Sequence, residues 1–349
     1  MAVLHVIEQG AVLHKRDDLV VVRKNEQLLQ TVPLFALDQV LVFGSVSLTA
    51  AMRNHLLQHG IDTVFLTRSG RFRGRLTAFS GSNIELRRIQ FRRCDDDDFV
   101  LRSSKLFVEG KLRNTLALLQ RHQRRAKSAN IARALHRIRK AQSQLESAQT
   151  LDQVRGHEGN AGAAYFGCLC ETLKQKEFHF TRRSRRPPKD PFNSLLSFGY
   201  TMLLGSVMTA VQTVGLEPYL GFLHSASNGK PSVGLDLMEE FRPILVDAIA
   251  IRMVNRRQFE PSDFTYQEVE SQDHIPEDDR ELTSSDYPVL MGRLSIKKWL
   301  LSYHRELEQK LIYPRYGKRL TYKQIILEQA RLLARHIKGE EEYRSFQVR

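Results

Sequence analysis

Only three cysteines occur in the 349 residues: Cys94, Cys168 and Cys170. So few imply no disulfide framework, and a reducing cytoplasm is expected. Cys168 and Cys170 stand two apart in a segment read as helix, so they face different ways and form no zinc pair. No run approaches the roughly 18–20 uninterrupted apolar residues of a membrane span. Residues 1–18 lack the basic start and sustained apolar core of a signal peptide, and no membrane association is expected. No Gly-x-Ser-x-Gly elbow occurs, and Gly229-Lys230-Pro231-Ser232 lacks the rest of a nucleotide-binding P-loop. Hydrolase triads and nucleotide binding therefore have no support.

One absence is local. Residues 110–145 contain no acidic side chain but ten basic ones, among them Lys111, Arg121, Arg124 and Arg125. A merely solvated helix face would carry both signs, because opposite charges three or four apart stabilise it. Their absence over two helices points to phosphate contact. The whole chain agrees: 53 Lys+Arg against 39 Asp+Glu give a net charge of +14, and a polyanion such as nucleic acid is the natural partner.

The first 80 residues read as β-structure, with short Val/Leu/Ile runs at 3–7, 11–15, 19–23, 40–43, 63–67 and 72–79. One helix interrupts them after Ser47 and ends at Gly60, and Arg68-Ser69-Gly70-Arg71 is a hairpin turn. From residue 84 onward the patterns are helical. Asp95 to Asp98 read as the N-terminal cap of a helix over 99–126. Further helices are expected over 151–174, over 192–214 after Asp190-Pro191, from the 230s to about 257, over 294–311 and over 322–337. The acidic stretch 265–285 reads as an exposed loop or linker, and the tail after Gly339 as frayed. The expected architecture is α+β in two domains. A small β-rich domain (1–80) leads through a linker (81–95) to a larger all-α domain (96–349).

Residues 221–243 join His224, a polar loop and a helix bearing Asp236, Glu239 and Glu240. Three residues apart, Asp236 and Glu239 share a helix face. Glu158, His224, Asp236 and Glu239 form the strongest candidate set. Carboxylate oxygens with one imidazole suit Mg²⁺ or Mn²⁺ rather than a structural zinc. Each residue also has a plain structural alternative: Glu158 and Glu239 as helix-surface carboxylates, His224 as a satisfied core histidine, Asp236 as a helix N-terminal carboxylate.

Four segments in order then resemble one family: Arg155-Gly156-His157-Glu158-Gly159-Asn160-Ala161; the run from Arg185 and Arg186 through Pro187-Pro188-Lys189-Asp190-Pro191-Phe192-Asn193 to Phe198-Gly199-Tyr200; Gly221-Phe222-Leu223-His224; and Asp236-Leu237-Met238-Glu239-Glu240-Phe241-Arg242-Pro243. The chain resembles the CRISPR-associated endonuclease and integrase, the larger core protein of spacer acquisition. That resemblance implies a β-sandwich-like dimerisation domain and a helical catalytic domain with one divalent-metal site. It implies Glu158, His224 and Glu239 as ligands, Asp236 as a supporting carboxylate, and Lys230, with Arg185 and Arg186, facing DNA. The arginine the family often carries shortly after its Glu-Gly pair is absent here, where Gly162-Ala163-Ala164 stand instead. It further implies transfer of short double-stranded DNA, the prespacer, into a CRISPR repeat by attack of a 3′-hydroxyl. The implied partners are a second copy of the chain and a small ferredoxin-like protein. The alternative is a non-catalytic basic scaffold that binds nucleic acid.

Overall fold

Alternating apolar residues build the first part of the chain, and helix caps punctuate the second. The computed structural model describes residues 2–78, 83–185, 187–226, 229–266 and 288–348, which fall into two units, one up to residue 78 and one from residue 83 onward. The first unit contains β1 (Ala2–Val6), β2 (Val12–Arg16), β3 (Leu19–Lys24), β4 (Gln27–Pro33), β5 (Leu37–Phe43), β6 (Ser47–Leu48), α1 (Ala50–Gln58), β7 (Asp62–Leu66) and β8 (Phe72–Leu76). Its strands form two four-stranded sheets, ordered β1-β5-β7-β8 and β4-β3-β2-β6. β1, β5 and β7 run parallel, and β8 returns antiparallel through the turn at 68–71.

Residues two apart share a sheet face. Leu4 with Val6, Val20 with Val22, and Val40 with Val42 enter one cluster with Leu13 and the α1 residues Met52 and Leu56. The Thr49 hydroxyl starts α1 by accepting from the Met52 N–H at 3.2 Å. β4 was not expected. It lies at a sheet edge with most of its side chains exposed, so its sequence lacks the alternation that marks the others.

The second unit holds α2 (Ile84–Cys94), α3 (Asp97–Ala126), α4 (Ala129–Glu146), α5 (Leu151–Cys168), α6 (Pro191–Val214), α7 (Ser232–Met238), α8 (Ala248–Asn255), α9 (Arg293–Leu307) and α10 (Tyr322–Lys338). Four short strands pair within it: β9 (Phe264–Tyr266) with β10 (Val289–Met291), and β11 (Lys310–Tyr313) with β12 (Lys318–Thr321). The unit is therefore mostly helical rather than all-helical, because these pairs are too short to show a period. Residues 84–94, where the helical pattern was expected to begin within the stretch named as a linker, form α2. Asn83 caps it, and its Gln90 exchanges hydrogen bonds with Glu217 and with the Leu220 carbonyl at 2.8 Å. Of the stretch 265–285, residues 267–285 lie outside the described residues.

Asp96 caps α3 by accepting from Phe99 N–H at 3.0 Å, and Asp190 caps α6 with Pro191 in its first turn. By length and composition α6 could cross a membrane, but it serves as a core helix: Phe192, Leu195, Leu196, Leu203 and Val211 are fully buried. Gly199 lets that core close, since a Cβ there would lie 2.5 Å from both Trp299 and Val246.

Two expectations fail here for physical reasons. The helix expected from α7 to about residue 257 is broken: Arg242–Asp247 form a π-helical turn before α8. Pro243 offers no N–H to the preceding turn and its ring crowds that turn, so the backbone widens. The tail after Gly339 is docked, not frayed. Tyr343 and Phe346 are buried, Phe346 N–H donates to Glu240 at 2.9 Å, and Asn114 donates to the Phe346 carbonyl at 2.8 Å. Charge along 340–344 masks two aromatic anchors spaced three apart.

Candidate active site

Four elements of the second unit converge. α5 presents Glu158, α3 presents Lys111, the segment after α6 presents His224, and the end of α7 presents Asp236 and Glu239. Asp236 is completely buried and is saturated. Its carboxylate accepts from the N–H groups of Phe222 (2.6 Å), Leu223 (3.1 Å) and His224 (2.9 Å), and from the His224 ring at Nδ1 (2.7 Å). A carboxylate only accepts, so Nδ1 carries a proton, and in the neutral form of the ring Nε2 is the nitrogen left with a lone pair. Nε2 lies 4.0 Å from the Glu239 carboxylate. The shared helix face expected of Asp236 and Glu239 thus works through the histidine between them. Asp236 holds the ring and Glu239 meets its far side.

Gly221 makes this packing possible. A Cβ there would lie 2.7 Å from Ser232 and 2.8 Å from the Asp236 carboxylate. Arg155, one turn before Glu158, ties α5 to the same segment by donating to the Leu223 carbonyl (2.8 Å) and to the Ser225 hydroxyl (2.7 Å).

Glu239 is nearly inaccessible and is met by two cations, the Lys111 ammonium at 2.7 Å and the Arg242 guanidinium at 3.2 Å. Burial would push its carboxyl up, but Arg242, Lys111 and His224 pull it down to about 2. Lys111 also contacts Glu158. Burial would lower the Lys111 ammonium, yet Glu239 and Glu158 hold it above its ordinary value. The π-helical turn sets Arg242 beside the Tyr200 ring, 5.0 Å from its centroid, and buries Asp247 between the hydroxyls of Tyr165 (2.7 Å) and Tyr200 (2.6 Å).

The donor set fits a hard divalent cation by type and charge. The Glu158 and Glu239 carboxylates share the positive charge of Lys111, and the His224 Nε2 lies 4.0 Å from Glu239. In the arrangement described, no three His, Cys, Asp or Glu side chains among the described residues gather closely enough to ligate an ion, because Lys111 stands between Glu158 and Glu239.

Beside this cluster a cleft of about 440 Å³ is lined by Lys111, Glu158, Arg182, Arg183, Arg185 and Arg242, with Gly159, Gly162 and Ala163 as its small-residue wall. Arg185 is therefore at the site, whereas Arg186 lies outside the described residues. Lys230 is half-buried in the loop before α7 and does not line the cleft. Arg121, Arg124 and Arg125 are exposed near the far end of α3, roughly 15–21 Å along the helix from Lys111 at 1.5 Å per residue. Glu240 points the other way, to Gln329 and the tail.

Sequence reasoning missed Lys111, Arg242 and Arg183 as site residues. Lys111 opens the acid-free interval and Arg242 sits inside the last quoted motif, so a signal existed for both. Tyr200 closes the second quoted segment, but its meeting with Asp247 and Tyr165 had no signal, because the three stand on separate elements.

Comparison with known proteins completes the picture. The family model described as CRISPR associated protein Cas1 matches residues 4–279. A curated relative, CRISPR-associated endonuclease Cas1 3 of Thermus thermophilus, is 35% identical over 352 residues, spanning 100% of this chain and 98% of its own. Among solved structures, a casposase bound to integration product superposes with a TM-score of 0.82 at 21% identity, covering 99% of this chain and 93% of its own. A Cas6-RT-Cas1–Cas2 complex gives a TM-score of 0.82 at 24% identity over 100% of this chain and 36% of the larger one. At those identities the structural likeness speaks for the fold.

Proposed function

The chain belongs to the Cas1 family of CRISPR-associated endonucleases, and from that membership we propose that it is a metal-dependent DNA integrase. The observation that carries this reading is the Glu158–His224–Glu239 cluster beside an arginine-lined cleft that Glu158 helps to line. Glu158, His224 and Glu239 would hold Mg²⁺ or Mn²⁺. Such an ion supplies Lewis-acid stabilisation of charge on the phosphate and on the leaving 3′-oxygen.

The chain's own residues do the rest. Asp236 fixes the His224 tautomer so that Nε2 faces the ligand carboxylates. Arg182, Arg183, Arg185 and Arg242 offset phosphate charge in the cleft, and Arg121, Arg124, Arg125 and Lys230 engage the duplex outside it. The 3′-hydroxyl of a short duplex attacks a phosphodiester at the repeat boundary. One O–P bond forms as another breaks, and the proton lost by the attacking hydroxyl is balanced by one gained at the leaving oxygen. The exchange needs no ATP. The exposed apolar side chains Leu28, Leu29 and Phe35 of the first unit favour a second copy of the chain as a partner. The naming of Cas1 with Cas2 in one solved complex favours a small ferredoxin-like partner. The setting would be the prokaryotic cytoplasm.

The test is strand transfer of a short duplex into supercoiled repeat DNA with Mn²⁺, its products read on a sequencing gel. Joined products are expected from the wild type, and none from Glu158→Ala or His224→Ala at undiminished DNA retention. Cleavage without joining would indicate a general nuclease, and metal-independent retention without products would indicate a scaffold. Normal joining by both variants would move the site elsewhere.

A further inference from the structure

Among the described residues, Lys111 is the one cation with ion pairs to both proposed carboxylate ligands. Its ammonium meets Glu158 and lies 2.7 Å from Glu239, with its side chain largely buried. Two carboxylates brought together in a low-dielectric site repel one another unless a positive charge stands between them. We propose that Lys111 is an internal placeholder: it holds the ligand pair together before the divalent cation arrives, and that cation displaces it into the cleft. This rests on the metal reading given above and adds to it a named competitor for the site.

Charge arithmetic favours displacement. Lys111 and Arg242 already offset Glu158 and Glu239, two charges against two. An entering divalent ion would leave two surplus positive charges, so one resident cation is expected to withdraw. Arg242 is fixed against the Tyr200 ring, on a backbone turn widened by Pro243. Lys111 has a flexible four-carbon stem and already lines the cleft. Its helix stays where it is, because Asn114, one turn further on, donates to the Glu240 carbonyl at 2.8 Å and Gly110 seats the tail residue Ser345. Only the ammonium moves, and it moves toward the space a phosphate would fill. Placeholder and phosphate contact are then successive roles of one side chain.

The experiment measures Mn²⁺ binding to the full chain without DNA, by the electron paramagnetic resonance signal of free Mn²⁺, for the wild type, Lys111→Met and Glu158→Gln. With its competitor removed, Lys111→Met should bind Mn²⁺ roughly tenfold tighter, the scale set by losing one like charge a few ångström from the ion. It should also melt lower than the wild type in EDTA and recover in Mn²⁺, giving the larger metal-induced shift. Equal or weaker Mn²⁺ binding by Lys111→Met overturns the placeholder. Absence of Mn²⁺ binding by the wild type, or unchanged binding by Glu158→Gln, would instead defeat the metal site itself. Lys111→Gln carries the same two readouts should the Met variant fail to fold. Lys111→Arg keeps the competing charge and should bind Mn²⁺ no tighter than the wild type.

Discussion

Glu239 and Glu240 are consecutive and both buried, yet their carboxyls are driven in opposite directions. Glu239 faces Arg242, Lys111 and His224 and is held down to about 2. Glu240 faces Gln329, Tyr343 and the Phe346 backbone, and burial without a cation pushes it up to about 8. Burial disfavours charge on both, so the cations alone make the difference. On one side of the backbone the protein has built a charged centre. On the other it has built a hydrogen-bonded clamp without a cation, which closes the tail over α3 and α10.

The sharpest way to break that comparison is to swap each carboxylate for its amide. Glu239→Gln should reduce metal-dependent strand transfer on the order of 10³-fold or more, beyond the roughly 10–100-fold typical of losing a group that only orients a ligand. Glu240→Gln keeps the shape of a neutral acid and should stay within about threefold of the wild type in the same assay. Equal loss in both variants would mean the two sides act as one unit.

A smaller effect is expected from the clamp alone. Phe346 packs against Phe241 and Tyr313 and is almost fully buried. Phe346→Ala should cost about 3–4 kcal/mol of stability in urea unfolding followed in EDTA. Strand transfer per folded molecule should change little at low temperature. No change in unfolding midpoint would return the tail to the frayed state its charges suggest.

The same two sides show how far sequence reaches. Asp236, His224, Glu239 and Glu158 were legible because they stand in motifs whose residue types name a chemistry. Caps at Asp96 and Asp190 were legible because they depend on their own next turn. Lys111 was read only as one of ten basic residues: a charge run does not say which member the helix turns inward. The tail clamp was invisible, since Asn114, Glu240, Gln329 and Phe346 are brought together across more than two hundred residues. The break at Arg242–Asp247 was written in Pro243, but its outcome, a π-helical turn that aims Arg242 and Asp247 at one tyrosine, depends on what packs there. The all-helical expectation overlooked four short strands: β9 and β10 pair across more than twenty residues, and β11 and β12 form a brief hairpin.

The finest test compares pH dependence. Glu240 binds its proton more tightly folded (about 8) than at its ordinary 4.5. Between those values the folded chain retains a proton that the unfolded chain has released. Stability from this group is therefore fullest below pH 4.5, declines as pH rises, and levels off above pH 8. Glu239 has the opposite sign: its contribution is present above pH 4.5 and is lost only as pH falls toward 2. From pH 5 to pH 8 in EDTA, Glu239 is thus constant and Glu240 supplies a slope. Relative to Glu240→Gln, the wild type should lose about 3–4 kcal/mol across that interval, each pH unit counting for at most about 1.4 kcal/mol. His304 and His336, held down to about 4 by burial, add the same opposite slope to both proteins below pH 6.5. Glu240→Gln cannot ionise, still offers Phe346 N–H an acceptor, and should lose that slope while gaining stability at pH 8. The same pH dependence in the wild type and in Glu240→Gln would show that Glu240 is ionised like its neighbour, and that the tail is clamped over a charge.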